Sequence, residues 1–126
     1  MRIFMTRWFA RFARHERITN AGLLEAIARA EQGLIDADLG GGLIKQRVAR
    51  QGKGRSGGYR LIIAYRAKSR AVFLVGFAKN ERENISTDEL LFLRGLAQNW
   101  LAASFARMRE EIEAANLQEI EYDEET

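Results

Sequence analysis

Three apolar segments follow one another between residues 42 and 79 with only short connections, and this succession restricts the fold more than any other feature. They read GLIKQRVAR, GYRLIIAYR and RAVFLVGFAK. In the first, the alternation of apolar and polar side chains over residues 43–50 is blurred, but Lys45 and Arg47 share one face. The other two are apolar enough for central strands. Because only the turn AKSR separates the last two, we expect them to pair as an antiparallel hairpin. The sequence therefore predicts a small antiparallel sheet.

Helical patterns lie on both sides of these strands. One helix is predicted over RITNAGLLEAIARAEQGL, capped by Thr19 or Asn20 and followed by Gly33 in the left-handed conformation. The next segment, DADLGGG, has the composition of a turn. A further helix is predicted over NISTDELLFLRGLAQNWLAASFARMREEIEAAN, because Ser86 and Glu89 have the spacing of a capping box.

The N-terminal segment MRIFMTRWFARFARHER is rich in arginine and has no acid before Glu16. Two alternatives are a targeting peptide and a helix on a membrane surface. We favour a strand over Arg2 to Met5, followed by a helix that buries Trp8, Phe9 and Phe12. The element order is then β-α-α-β-β-β-α, an α+β domain in which helices pack on a small antiparallel sheet with a mixed edge.

Composition excludes several classes of site. A chain of 126 residues is most simply one domain. It has no cysteine and a single histidine, His15, which excludes disulfides, thiolate sites and multi-histidine metal sites. No apolar run approaches the about 20 residues that cross a bilayer. We expect a cytoplasmic protein with no membrane partner, no metal and no small-molecule cofactor.

Charge divides the chain into two parts. All 20 lysines and arginines lie in residues 1–109, which hold nine of the 17 acids and therefore carry a net charge of +11. Residues 110–126 hold the other eight acids and no base. We predict a domain over 1–109 with a polyanion-binding surface and an acidic tail over 110–126. The tail either shields that surface or is simply solvated.

The segment RQGKGRSGGYR, between the first two predicted strands, has the glycines and cations of a phosphate-binding loop. It lacks the G-x-x-x-x-G-K-[ST] pattern, and a strand follows it rather than the helix that nucleotide-binding loops need. A hairpin connection remains. Six cations nevertheless occur within 16 positions without an acid, namely Lys45, Arg47, Arg50, Lys53, Arg55 and Arg60. This cluster favours a polyanion site over a plain basic surface.

Cleavage of RNA is a reaction that such a cluster supports without histidine or metal. The 2′-hydroxyl of the RNA attacks the adjacent phosphorus, so the protein has only to hold the backbone in line and stabilise the developing negative charge. Fixed arginines do the second, and a lysine crowded by other cations can act as a general base. DNA lacks this hydroxyl, so the expected substrate is RNA.

The segments LGGGLIKQRVARQGKGRSGGYRLIIAYR and VFLVGFAKNERENISTDEL resemble the RelE/HigB-like toxins of bacterial type II toxin–antitoxin systems, within the RelE/ParE superfamily. The likeness covers roughly residues 1–107, and the element order fits the RelE-like fold. It implies an mRNA endoribonuclease (an mRNA interferase) that inhibits translation on the ribosome and is silenced by a cognate antitoxin protein.

The resemblance also implies roles for individual residues. Arg60 matches the arginine that stabilises the scissile phosphate. Lys45 and Arg47 lie on the strand that carries basic catalytic side chains, and Lys79 and Arg82 match the basic segment after the last strand. Asn80 and Ser86 depart from the family, which has an arginine and a base-stacking tyrosine there. The predicted RNA-binding residues are Arg50, Lys53, Arg55, Tyr59, Asn80 and Asn84.

Two questions stay open at this point. The side chain of Tyr59 either stacks on a base or packs inside the protein. The chain as a whole is either a ribonuclease or a non-catalytic, toxin-like module that binds an antitoxin, nucleic acid or gyrase.

Overall fold

The computed structural model describes residues 1–50, 54–82 and 84–122. Within them the chain forms six strands and four helices. In chain order these are β1 (Arg2–Thr6), α1 (Arg7–Glu16), α2 (Asn20–Glu31), β2 (Ala37–Gly40), β3 (Leu43–Arg50), β4 (Gly54–Arg66), β5 (Arg70–Ala78), α3 (Thr87–Ala102), α4 (Phe105–Glu113) and β6 (Leu117–Ile120). The predicted α+β class is confirmed, whereas β2, α4 and β6 are additional to the predicted order.

All six strands belong to one sheet, in the order β2-β3-β4-β5-β1-β6. The strands β3, β4 and β5 form the predicted antiparallel series. β1 lies beside β5 and runs parallel to it, and β6 pairs antiparallel with the outer side of β1. The C-terminal ends of β3, β5 and β1 therefore meet the start of β4 at one end of the sheet.

Side chains of the sheet alternate between two hydrophobic cores. Ile63 and Phe73 pack with Phe9 under α1 and α2, which defines the α1–α2 face. Ile62 packs with Leu93 under α3 and α4, which defines the α3–α4 face. Neighbouring residues of a strand therefore belong to different layers of the molecule.

The predicted helix starts are confirmed. The side chain of Thr19 accepts a hydrogen bond from the Gly22 amide at 3.1 Å and caps α2. Ser86 and Glu89 form both halves of the capping box at the start of α3. Gly33 has a φ of 82°, the left-handed conformation predicted for it.

The prediction that Trp8 is buried is wrong, because its side chain is 59% exposed. Phe9 and Ala13 point from α1 into the core, and Phe12 is half-buried beside them. Trp8 precedes Phe9 by one residue, which turns it about 100° around the helix. Its ring instead lies 5.8 Å from the Arg7 guanidinium.

The predicted C-terminal helix is in fact two helices. Ala103 is extended, with φ −64° and ψ 138°, and the hydroxyl of Ser104 accepts from the Arg107 amide to begin α4. The guanidinium of Arg70 donates to the carbonyls of Trp100 at 2.7 Å and Ala103 at 2.8 Å. These contacts satisfy carbonyl groups that the end of a helix leaves without partners, and the helix ends there.

The segment DADLGGG is not only a turn, since its first residues form β2. This strand pairs antiparallel with β3, and Ala37 lies opposite Lys45. The turn follows it at Gly41 and Gly42, and these two residues and Gly40, at the end of the strand, all have positive φ.

The predicted boundary between body and tail, at residue 110, falls inside α4. The apolar residues Leu117 and Ile120 of β6 are buried in the two different cores. The guanidinium of Arg2 on β1 binds the carboxylate of Glu119 at 2.8 and 2.9 Å. Residues 117–120 are therefore the outer strand of the sheet, while residues 123–126 lie outside the described part of the chain.

Candidate functional site

Two predicted site residues face each other on adjacent strands at one end of the sheet. Arg47 of β3 lies opposite Arg60 of β4, and Arg60 lies opposite Phe77 of β5. Phe77 belongs to the core of the α3–α4 face. Arg60 lies on the same face, because it is two residues from Ile62 and side chains alternate along a strand. We call Arg47, Arg60 and Arg82 the arginine row, and Phe77 is the neighbour of Arg60 on β5.

Exposure differs along the arginine row. Arg60 is 8% exposed, whereas the side chain of Arg47 is 45% exposed. A guanidinium so nearly buried keeps a fixed position and little hydration, which strengthens its interaction with an anion. The row therefore combines a fixed central cation with a more accessible one.

Arg82 completes the row from the loop after β5. Its guanidinium lies 4.7 Å from the ring centroid of Phe77, a cation–π contact. Its side chain is also paired with Glu89, in the first turn of α3. The contact with Phe77 brings Arg82 to the α3–α4 face, where Phe77 is the neighbour of Arg60.

Both outer arginines thus have a carboxylate partner, because Asp36 binds Arg47 as Glu89 binds Arg82. Burial raises the pKa of Asp36, but hydrogen bonds from the backbone and side chain of Arg47 lower it by a larger amount. The pKa of Asp36 therefore lies below its ordinary value. The Asp36 carboxylate is consequently charged at neutral pH.

The two predicted catalytic lysines lie beside the row. Lys45 is half-buried and precedes Arg47 by two residues on the same strand, so both share one face. Lys79 is exposed, and its backbone amide donates to the Gly58 carbonyl at 3.1 Å, next to the start of the β4 segment that carries Arg60. The structure therefore brings Lys45, Arg47 and Arg60 together as predicted, with Lys79 at the same end of the sheet.

Tyr59 and Arg50 are not part of the arginine row. Tyr59 is 4% exposed and lies in the core of the α1–α2 face, where its ring meets Phe12 edge-on at 5.7 Å. The Arg50 guanidinium lies 5.7 Å from the same ring, and burial raises the pKa of the Tyr59 hydroxyl. Of the two alternatives for Tyr59, the structure shows packing and not an exposed stacking surface.

The remaining predicted RNA-binding residues lie in loops or outside the described residues. Asn80 and Asn84 are exposed after β5, and Oδ1 of Asn84 accepts from the Ile85 amide at 3.0 Å. Lys53 lies outside the described residues, as does the side chain of Arg55.

Sequence reasoning missed three contributors to the site, namely Asp36, Phe77 and Glu89 in its contact with Arg82. The turn AKSR alone would place Gly76 opposite Arg60, and the register shift between Ile62 and Ile63 brings Phe77 there instead. Nor did the sequence indicate Asp36, whose contact with Arg47 depends on how two separate segments pack.

The described residues contain neither a candidate metal site nor a membrane-spanning helix. Among them, no three His, Asp or Glu side chains lie close enough together to hold a metal ion. None of the helices in this part of the chain is long and apolar enough to span a membrane.

The arrangement is suited to binding a phosphodiester. Guanidinium groups donate several hydrogen bonds in a fixed plane to phosphate oxygens, and the row presents three of them on one face. It offers cations and hydrogen-bond donors that can stabilise negative charge as it develops on phosphate oxygens.

Comparison with protein families gives one match. A family model described as the RelE toxin of the RelE / RelB toxin–antitoxin system matches residues 1–120. The match extends from β1 through β6 and does not separate the HigB-like subgroup, which stays a prediction. A comparison with curated proteins found no match.

Proposed function

The chain belongs to the RelE toxin family, and from this membership we propose that it is an endoribonuclease that cleaves mRNA on translating ribosomes. Membership makes it the toxin of a toxin–antitoxin pair, with an antitoxin as its partner. The reaction, the RNA substrate and the dependence on the ribosome are what we propose beyond this membership. Since translation takes place in the cytoplasm, we also propose a cytoplasmic location.

The cross-strand pair of Arg47 and Arg60 is the observation that carries this proposal. Their side chains start from directly opposite positions on neighbouring strands, and Arg60 is withdrawn from most of the solvent. Two guanidinium groups on one face can together donate hydrogen bonds to the oxygens of a single phosphate. The scissile phosphate of RNA is the anion that fits both the charge and the family.

In the proposed reaction the 2′-hydroxyl oxygen attacks the adjacent phosphorus, and the bond to the 5′-oxygen of the next nucleotide breaks. Arg60 and Arg47 stabilise the charge that grows on the phosphate oxygens. We assign the proton transfers, from the 2′-hydroxyl and to the leaving 5′-oxygen, to Lys45 and Lys79. Arg82 binds the phosphate backbone beside them.

A second basic surface supports a large RNA partner such as the ribosome. Arg7, Arg11 and Arg14 are exposed on α1, and their spacing places them on one side of that helix. None of the ion pairs among the described residues includes Arg11 or Arg14. The helix α1 covers the face of the sheet opposite the arginine row, so cations are present on two sides of the molecule.

Primer extension on a translated message tests the reaction, with Arg60→Ala as the variant and Arg66→Ala as its control. Arg66 is an exposed arginine of the same strand. We expect new 5′ ends with the wild type and Arg66→Ala, and a loss of about a hundredfold or more with Arg60→Ala, as when a transition-state donor is removed. Binding of the antitoxin by each variant shows that it is folded.

Two further outcomes decide between this proposal and its rival. Growth inhibition by the wild type without new 5′ ends would reject the nuclease in favour of a non-catalytic, toxin-like interaction module. Equal cleavage of the purified message with and without ribosomes would keep the nuclease and reject its dependence on the ribosome.

A further inference from the structure

Strand β3 loses its outer neighbour before it reaches Arg47. β2 pairs with β3 at three positions, and the last of these along β3 places Ala37 opposite Lys45. At Arg47, side chains take the place of a strand. The Arg47 amide donates to Oδ2 of Asp36 at 2.7 Å, and the Arg47 carbonyl accepts from Nη2 of Arg29. Backbone amides and carbonyls that have no neighbouring strand take other partners, and here both partners are charged.

These contacts also define the pair that Arg47 makes with Arg60. Since the amide and carbonyl of Arg47 point outward to Asp36 and Arg29, they are not directed at Arg60 on the other side. In an antiparallel sheet, a pair of this kind has Cα atoms about 4.5 Å apart, against about 5.5 Å for a hydrogen-bonded pair. The two arginine side chains therefore start from the closer of the two spacings.

The Asp36 carboxylate binds the Arg47 side chain as well as its backbone. Oδ1 accepts from Nη2 of Arg47 at 3.3 Å, and Oδ2 accepts from Nη1 of Arg29 at 3.3 Å. Arg29 is itself nearly buried, and its Nε lies 2.9 and 3.0 Å from the two carboxylate oxygens of Glu25. The chain of contacts runs from α2 through Asp36 to the arginine row.

A buried amide fixes the position of Asp36. Gln46 is fully buried, and its Oε1 accepts from the Asp36 amide at 2.8 Å. Its Nε2 donates to the carbonyls of Ala26 at 2.9 Å and Leu34 at 3.1 Å. A polar side chain in the core is stable only when its hydrogen bonds are made. Gln46 makes them to α2 and to the segment that leads into β2.

We propose that Asp36 is a positioning residue that holds the Arg47 guanidinium beside Arg60, and this inference rests on the function proposed above. Asp36 uses one of the five guanidinium N–H groups and leaves the others for a phosphate. Its charge attracts the Arg47 guanidinium and limits the positions that this exposed side chain can take. Asp36 does not touch the RNA and acts only through Arg47.

The test compares Asp36→Asn with Asp38→Asn in ribosome-dependent cleavage. Asparagine keeps an oxygen acceptor for the Arg47 amide and removes the charge that holds the guanidinium. Asp38 is the matched control, because it is exposed, lies in the same segment and accepts one backbone amide, from Gly40 at 2.9 Å. We expect Asp36→Asn to lower kcat about ten- to a hundredfold, the size of effect that misplacing a reacting group has. We expect KM, the melting temperature and antitoxin binding to change little.

A double-mutant cycle separates positioning from a general effect on structure. If Asp36 acts through Arg47, adding Asp36→Asn to Arg47→Ala lowers kcat no further. Additive losses, an unchanged kcat in Asp36→Asn, or an equal loss in Asp38→Asn would overturn the proposal.

Failure of the proposed function is recognised separately, because the wild type then cleaves nothing. In that event the same cycle is run on binding of a short RNA with a 2′-O-methyl group on each nucleotide, which has no free 2′-hydroxyl to attack the phosphate. Non-additive losses of affinity support the positioning role, and additive losses reject it.

Discussion

Nη1 of Arg82 lies 2.9 Å from each of the two carboxylate oxygens of Glu89. One of these oxygens also accepts the backbone amide of Ser86 at 2.9 Å and closes the capping box of α3. A single carboxylate therefore starts the helix and holds a cation of the arginine row. The stability of α3 and the position of Arg82 depend on the same group.

Glu89→Gln separates these two roles. Glutamine can still bind the Ser86 amide, since either residue completes a capping box, but it no longer attracts Arg82 by charge. We expect cleavage to fall by at most about fivefold, the range for an exposed ion pair, with little change in helix content. Asp88→Asn, in the same turn, is the control and should leave cleavage unchanged. A larger loss in the control would show that the charge of the turn matters, and not the contact with Arg82.

The stability of the protein should depend on pH through Glu89. The hydrogen bond from the Ser86 amide, and next that from Arg82, hold the pKa of Glu89 below its ordinary value of 4.5. The unfolded chain therefore takes up this proton at a higher pH than the folded chain. The stabilisation is complete above pH 4.5 and is lost as the pH falls through the lowered pKa.

Melting temperatures of the wild type and Glu89→Gln, measured from neutral to acid pH, check this. The wild type should be the more stable at neutral pH, and the difference should shrink once the pH falls below 4.5. A difference that keeps its size in acid would contradict the assignment.

Arg11 and Arg14 should contribute to ribosome binding by contacts with phosphates. Replacing both by alanine should lower the slope of log affinity against log salt by about 1.4 to 1.8, because each lost phosphate contact removes about 0.7 to 0.9. Co-sedimentation with ribosomes at several salt concentrations measures this slope. Arg66→Ala with Lys68→Ala removes two exposed cations from the opposite end of the sheet and serves as control. Equal slopes for both double variants would reject α1 as a contact surface.

Removal of β6 should unfold the protein, whereas removal of the residues after Tyr122 should not. Leu117 and Ile120 are 3% and 2% exposed, and burial of each contributes about 1.5–3 kcal/mol. Their sum is a large share of the about 5–15 kcal/mol by which domains are stable. Thermal unfolding of chains ending at Asn116 and at Tyr122 measures the difference. A cooperative transition at the wild-type temperature for the shorter chain would contradict this assignment of β6 to the sheet.

The position of Arg60 directly opposite Arg47 could not be read from the hairpin, because the register of β3 and β4 shifts between Val48 and Arg50. That Lys45 and Arg47 share one face could be predicted, because side chains alternate along a strand. The same rule contained information on Tyr59. A tyrosine next to Arg60 in the sequence points to the other face, so a site built on Arg60 cannot include Tyr59 in the same layer.

Asp36 and β2 could not be predicted in this way. The segment Ala-Asp-Leu-Gly has little preference for the strand conformation, and it is extended because it pairs with β3. Asp36 meets Arg47 only after that pairing has formed. The end of α3 also depends on a distant residue, since Arg70 of β5 binds the carbonyls at which the helix stops. The residues close in sequence to Asp36 or to the end of α3 do not identify these distant partners.

The pairing of β6 with β1 has a consequence for the order of events during synthesis. The contact between Arg2 and Glu119 joins residues 117 positions apart, so β1 has left the ribosome long before its outer partner is made. Until then the apolar strand β1 has an open edge, which is prone to wrong pairing. The first strand of the described sheet is thus covered by its last one, and the sheet cannot be completed before residues 117–120 have been made.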